Sequence, residues 1–186
     1  MPNLYLALAH YPVVNKNGEI IASAITNLDL HDISRAAKTY GVKSYYVVTP
    51  LEDQQALAKK IIGHWLAGAG ADYNPDRGSA LELIRIISSL AEAAEHIKSV
   101  ENEYPKIVAT SARRYPKNIS FGKFRSLLEE DRPHLLVFGT AWGLAESFIS
   151  NADYVLEPIS GIEAYNHLSV RAAAAVVLDR LMVNRN

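Results

Sequence analysis

The densest candidate chemistry in this sequence lies in three clusters of small and turn-forming residues: Phe138-Gly139-Thr140-Ala141-Trp142-Gly143-Leu144, Leu156-Glu157-Pro158-Ile159-Ser160-Gly161 and Tyr165-Asn166-His167-Leu168-Ser169. The first two follow short apolar runs at 135–138 and 154–156, and the third opens an Ala-rich helix. Glycine permits positive φ and a close backbone approach to a ligand. In an open α/β sheet, ligands sit outside the carboxyl ends of the strands. The three clusters are therefore expected to form one small-molecule pocket. The first is not a P-loop, since no Gly-Lys-Ser/Thr follows, nor a dinucleotide fingerprint, since the GxGxxG spacing is missing. Taken singly, each has an equally good ligand-free reading: a tight strand-to-helix turn at Gly139, a turn punctuated by Pro158 and Gly161, and an N-cap at Asn166 with Ser169 three residues on.

Arg113, Arg114 and Lys117, with Tyr115 among them, form a basic cluster that could combine phosphate contacts with base stacking, or be a solvated loop. Lys123 and Arg125 extend it. The net charge of −1 gives no overall basic excess, so RNA binding would rest on such a patch or on a dimer that combines two. His10, in a loop after the first strand, is a candidate substrate contact or a structural histidine. The six histidines are scattered without metal-ligand spacing, so no metal is expected. With no cysteine in the chain, disulfides, thiolate metal sites and a cysteine nucleophile are excluded.

The elements that must hold these residues alternate. Apolar runs at 4–9, 20–25, 44–48, 107–110 and 135–138 read as strands, with another at the end of 81–87. A helix is expected from about Asp29 to Tyr40, stopped by Gly41, with Leu30, Ile33 and Ala37 on one face. Thr49-Pro50-Leu51-Glu52 and Ser89-Leu90-Ala91-Glu92 read as capping boxes opening two more helices, the first reaching about Trp65. Residues 68–78 read as a loop able to move, and 120–130 as a helix. Strands alternating with helices predict an α/β fold, a mostly parallel sheet with helices on both faces. At 186 residues, 49% hydrophobic and 21% charged, one domain spanning 1–186 is expected. No apolar stretch is long enough for a membrane span, and no signal-peptide profile opens the chain. A cytoplasmic address is expected.

Together, the three carboxy-terminal clusters, continued as Val170-Arg171-Ala172-Ala173, resemble the SPOUT superfamily of S-adenosylmethionine-dependent RNA methyltransferases. In that family three such loops hold the cofactor, and the last carries an Asn-x-x-x-Ser/Val pattern at a helix start, here from Asn166 to Val170. Asp29-Leu30-His31-Asp32-Ile33-Ser34-Arg35 followed by Gly41 is similar to the family's first motif, Asn-x-x-x-x-x-Arg and then Gly. The likeness runs from about Leu4 to Leu181, and is nearest to a compact bacterial branch without an appended RNA-binding domain.

The resemblance implies a sheet with a C-terminal deep trefoil knot, a homodimer with its cofactor sites at the interface, and methyl transfer to tRNA or rRNA. It implies S-adenosylmethionine held by Phe138, Gly139, Thr140, Gly143, Leu156, Glu157, Pro158, Ile159, Gly161, Asn166, His167, Leu168 and Ser169. Arg35 would orient RNA phosphate or the acceptor, or be a solvated helix-surface arginine, and Asp29 is a candidate general base or a helix cap. His10, Asn27, Arg113 and Arg114 are candidate substrate contacts. The first motif has Asp29 where the pattern has Asn, with Asn27 two residues earlier, which favours a base over a ribose hydroxyl as acceptor. A non-catalytic module that binds this cofactor or another nucleotide and works through protein partners is the alternative, and a methyltransferase acting on a protein or small molecule is the third reading.

Overall fold

The computed structural model describes residues 2–163 and 165–183. Both ends of the one-domain span expected above, and Ala164 just before the third cluster, lie outside the described residues. The first strand, β1 (Leu4–Ala9), pairs on one side with β4 (Tyr45–Val48) and on the other with β8 (His134–Gly139), all parallel. Beyond β4 lies β5 (Ile84–Ile87). Beyond β8 come β6 (Lys106–Ala109), β9 (Tyr154–Leu156) and β7 (Asn118–Ile119). The order β5-β4-β1-β8-β6-β9-β7 puts the topological switch between β1 and β8, where the chain winds away in both directions. That is where an open α/β sheet has its crevice.

Strands buried on both faces read as unbroken apolar runs. Leu4, Leu6 and Leu8 point to one core and Tyr5, Ala7 and Ala9 to the other, as the two-residue period of a strand requires. The first core lies under α1 (Asn27–Thr39), α2 (Glu52–Leu66), α6 (Phe121–Leu128) and α8 (Val170–Met182), which contribute Leu30, Ile33, Ala58, Phe124, Val177 and Leu178. The second lies under α5 (Leu90–Glu101) and α7 (Glu146–Asn151) through Ala93, Ile97 and Ile149. Helices on both faces of a parallel sheet are as expected. No described helix is long and apolar enough to cross a membrane.

Several local expectations are corrected. The apolar run at 20–25 yields only β3 (Ile20–Ile21), paired antiparallel with β2 (Val13–Val14) in a hairpin outside the main sheet. Thr49 does not cap α2: its Oγ1 accepts from Leu51 N, and the helix begins after Leu51 with no side-chain cap. The segment 68–78 is not a loop but α3 (Ala69–Tyr73) and the start of α4 (Pro75–Leu81). Asn74 Oδ1 accepts from Arg77 N, and Pro75 takes the first helical position, where its missing N–H costs nothing. Ser169, not Asn166, caps α8, accepting from Ala172 N.

Candidate active site

The loop after β8 lies at the topological switch. Its first turn closes through Gly143 N donating to Thr140 O at 2.9 Å, with Ala141 and Gly143 at φ of +52° and +108°. The β2 side of the hairpin then grips it: Trp142 N donates to Val14 O, Val14 N to Gly143 O and Ala145 N to Pro12 O. Thr140 donates from both N and Oγ1 to Ala9 O, at 3.2 Å each. Phe138, expected against the cofactor, instead turns its ring into the core. Only its backbone faces the loop's end of the strand.

Beneath this loop is a polar relay. Thr140 Oγ1 hydrogen-bonds Ser23 Oγ, which lies 3.0 Å from His10 Nδ1. His10 is not the open-loop substrate contact expected above; it is fully buried, and its Nε2 has no partner among the described residues. Burial pushes its imidazole from 6.5 down to about 4, against the opposing pull of Asp29. The ring is therefore neutral in the folded protein while the unfolded chain takes up a proton first. Its contribution is complete above pH 6.5 and is lost as pH falls toward 4. The shift corresponds to about 3 kcal/mol. Urea denaturation at pH 7.5 and pH 4.5 is expected to show this loss in the wild type, and a clearly smaller one in His10→Gln.

The loop after β9 is organised differently from its expectation. One carboxylate oxygen of Glu157 is engaged within the fold: Oε1 accepts from Phe121 N at 2.8 Å, satisfying an otherwise open donor in the first turn of α6. Leu156 and Pro158 are buried and Ile159 packs against the first core, whereas Gly161, His167, Leu168 and Ser169 are exposed. The third cluster folds back across the sheet edge, where Asn166 Nδ2 donates to Ala112 O at 3.1 Å. Residues 110–117, which carry Arg113 and Arg114 exposed, follow β6, the strand between β8 and β9. The loops after three adjacent strands thus share one edge. Thr110, Ser111 and Ala112 were not singled out from the sequence, because only the strand order shows that β6 separates the other two.

Asp29 is not the helix cap; Thr26 Oγ1 accepts from Asp29 N and fills that role. Asp29 Oδ1 instead accepts from Arg171 Nη1 at 3.2 Å, and Asp32 Oδ2 lies 3.3 Å from Arg171 Nε. The pair ties the start of α8 to α1. The side chain of Asp29 is 6% exposed and that of Asp32 47%, so losing the arginine strands mainly one buried charge. Arg171→Ala is expected to cost about 2–3 kcal/mol and Asp32→Ala under about 1 kcal/mol, measured by chemical denaturation. Arg35 stands six residues along α1 from Asp29, about 1.7 turns and roughly 9 Å of helix rise, exposed and with no ion pair among the described residues. Asn27 is exposed in the first turn of α1.

An open depression of about 360 Å³ beside Tyr115, Lys117 and Glu146 is not part of this constellation. Its polar groups are engaged: Lys117 Nζ donates to Ser150 O and Ala152 O, and Tyr115 donates to Glu146. No group of acidic, histidine or cysteine side chains suited to a metal occurs among the described residues.

Residues 3–183 match a family model described as SAM-dependent RNA methyltransferase. A tRNA (guanine-N(1)-)-methyltransferase of Oleidesulfovibrio alaskensis is 47% identical over 180 residues, covering 97% of this chain and 42% of the relative. The chain therefore spans about two-fifths of that protein's length. Among solved structures, the SpoU methyltransferase AviRb from Streptomyces viridochromogenes aligns with a TM-score of 0.57 at 18% identity, over 98% of this chain and 60% of that one. The A. aeolicus TrmH/SpoU tRNA modifying enzyme aligns with a TM-score of 0.54 at 17% identity, over 98% of this chain and 75% of that one. These two likenesses concern the fold, which is of SPOUT type.

Proposed function

We infer that this chain, which belongs to the family of S-adenosylmethionine-dependent RNA methyltransferases, transfers the cofactor's methyl group to a nucleotide of tRNA. The observation that carries this reading is the meeting of the loops after β6, β8 and β9 at one sheet edge, joined by the hydrogen bond from Asn166 to Ala112. These loops suit an adenosine. The chain comes close to itself at both ends of the constellation: a Cβ would lie 2.6 Å from Leu144 N at Gly139 and 3.2 Å from Tyr165 O at Gly161. Open space beside Gly143 and the apolar side chains of Ile159 and Leu168 border the same edge. The tRNA assignment draws on the name of the Oleidesulfovibrio relative. That name describes a protein more than twice as long as its matched part, so the guanine N1 position is not carried over with it.

The cofactor supplies an electrophilic sulfonium methyl group, and the protein's part is to hold the acceptor in line and receive its proton. Gly139, Thr140, Gly143, Gly161, Asn166, His167, Leu168 and Ser169 line the cofactor's side in this reading. Arg35 orients the acceptor nucleotide, with Arg113, Arg114 and Asn27 as further RNA contacts. Asp29 is tied to the start of α8 through Arg171; with one oxygen accepting from that guanidinium, its first task is to fix α1 against α8, and Oδ2 is the atom left for a proton. Two protomers complete the site. Leu28 and Leu168, 56% and 46% exposed at the adjoining starts of α1 and α8, are apolar groups that a second copy would cover. A trefoil knot formed by the third cluster and α8, a single domain and a cytoplasmic address complete the proposal.

Transfer of labelled methyl from S-adenosylmethionine to unfractionated tRNA tests it, alongside calorimetric titration with S-adenosylhomocysteine. Binding that Asn166→Ala weakens, together with label in tRNA, is the expected result. The occupied carboxylate of Asp29 favours one competing reading, the non-catalytic module. Cofactor binding without label in any tRNA or rRNA would decide for it.

A further inference from the structure

The segment made by α3 and α4 packs on α1 and α2 away from the three loops. It is organised around the Trp65 indole. Gly70 lies so close that a Cβ there would come within 2.7 Å of the ring. The Arg77 guanidinium stacks over the ring at 4.7 Å from its centroid, and the His31 and His64 rings meet it edge-on at 5.3 and 5.4 Å. Arg77 is placed by the cap of its own helix, because Asn74 Oδ1 takes its N–H. His31 lies one helical turn from Arg35 on α1, so the two share a face. Its Nδ1 is buried without a partner among the described residues. Burial pushes the His31 imidazole below its usual range; the nearby charge of Arg77 adds to this, Asp32 opposes it, and Arg35 adds a smaller push down. Both guanidinium groups therefore act on one ring. Neither has a carboxylate within ion-pair distance among the described residues, while the neighbouring Asp32 is engaged by Arg171.

Two guanidinium groups thus lie by one neutral ring, and Asp32, the carboxylate whose charge acts on the same ring, is turned to Arg171, so it pairs with neither of them. Stacking on an aromatic face leaves the in-plane N–H donors of an arginine free, in the fork geometry that fits a phosphate. We propose that Arg77, held over the Trp65 ring, and Arg35 form a clamp for a backbone phosphate of the RNA substrate at the junction of α1 and α4. The clamp rests on the reading above that the substrate is RNA. It extends the RNA path along α1, away from the loops, and gives the α3–α4 segment a function: it carries the second half of the clamp.

The test is binding of unfractionated tRNA, measured by fluorescence anisotropy over a range of salt, for the wild type, Arg77→Gln and Arg77→Lys. Arg77→Gln is expected to weaken binding about tenfold near 150 mM salt and to lower the log–log salt slope by about 1, the loss of one phosphate contact. Arg77→Lys should keep the slope and lose only a few-fold in affinity, since the charge stays and the fork does not. Affinity for S-adenosylhomocysteine should be unchanged in both. As a measurement independent of any variant's folding, modification of the wild type by an arginine-selective reagent should be suppressed by tRNA at Arg35 and Arg77. Wild-type binding and slope in Arg77→Gln, or no protection of Arg77 by bound tRNA, would overturn the clamp and leave the RNA reading standing. Failure of the wild type to bind any tRNA would overturn both.

Discussion

Gly139→Ala is expected to destabilise the protein by about 2–4 kcal/mol and to abolish measurable cofactor binding, although it adds a single methyl group. A Cβ at this position would stand 2.6 Å from Leu144 N, 2.9 Å from Gly143 C and 2.9 Å from Leu144 Cγ. Two of these three atoms belong to backbone, so a side-chain rotation cannot relieve the contact. The backbone is itself fixed, since Trp142, Gly143 and Ala145 are bonded to the hairpin residues Val14 and Pro12. Only by pulling the whole loop off the hairpin can the methyl be accommodated. Gly143 is the internal control. Its Cβ would meet nothing within 4 Å, but its φ is +108°. Gly143→Ala should therefore cost about 1–2 kcal/mol from backbone conformation alone. Urea midpoints and titration with S-adenosylhomocysteine distinguish the two. Equal losses at both positions would mean that the close approach of the loop to itself is not what glycine serves at 139.

That contrast also marks what a reader of the sequence could see. The strands β1, β4 and β8 were legible because they are buried on both faces, so each appears as an unbroken apolar run between polar loops. The three loops were legible as glycine-bearing clusters at strand ends. Their arrangement was not, because it depends on β6 lying between β8 and β9, an order no local pattern records. The hairpin that grips the first loop was half-visible: Asn17-Gly18 between apolar pairs is a turn signal, and Gly18 takes φ of +82°. The longer apolar run at 20–25 outweighed it. The surroundings of His10 and Glu157 were not legible for a common reason. Each looks like a polar residue in a loop, yet one is buried under Thr140 and Ser23 and the other completes the first turn of α6. Tertiary contacts settle such roles, and these contacts come from residues 13 and 36 positions away. Residues 68–78 were rich in loop-forming types, but packing around Trp65 folds them into helices.

Arg35→Ala is expected to lower methyl transfer by about 10²–10³-fold while leaving S-adenosylhomocysteine affinity and the melting temperature almost unchanged, as for a group that acts only on the acceptor. An exposed arginine without an ion pair among the described residues has little to contribute to folding. The more informative form of the experiment mixes two inactive proteins. In the proposed homodimer, Arg35 stands about 1.7 turns of α1 from the Asp29–Arg171 pair that marks its own protomer's third loop, which suits it to serve the partner's cofactor. Arg35→Ala and Asn166→Ala protomers, unfolded together and refolded, would then form mixed dimers in which one site has both an intact Arg35 and an intact cofactor loop. Because a two-fold dimer has two equivalent sites and half of the random dimers are mixed, about a quarter of wild-type activity should return. If Arg35 serves its own protomer, every site in the mixed dimer lacks one of the two residues and no activity returns. The single variants fix the baseline, so the recovery reads the geometry of the acceptor site directly. A turnover rate for Arg35→Ala equal to wild type would remove Arg35 from the reaction altogether.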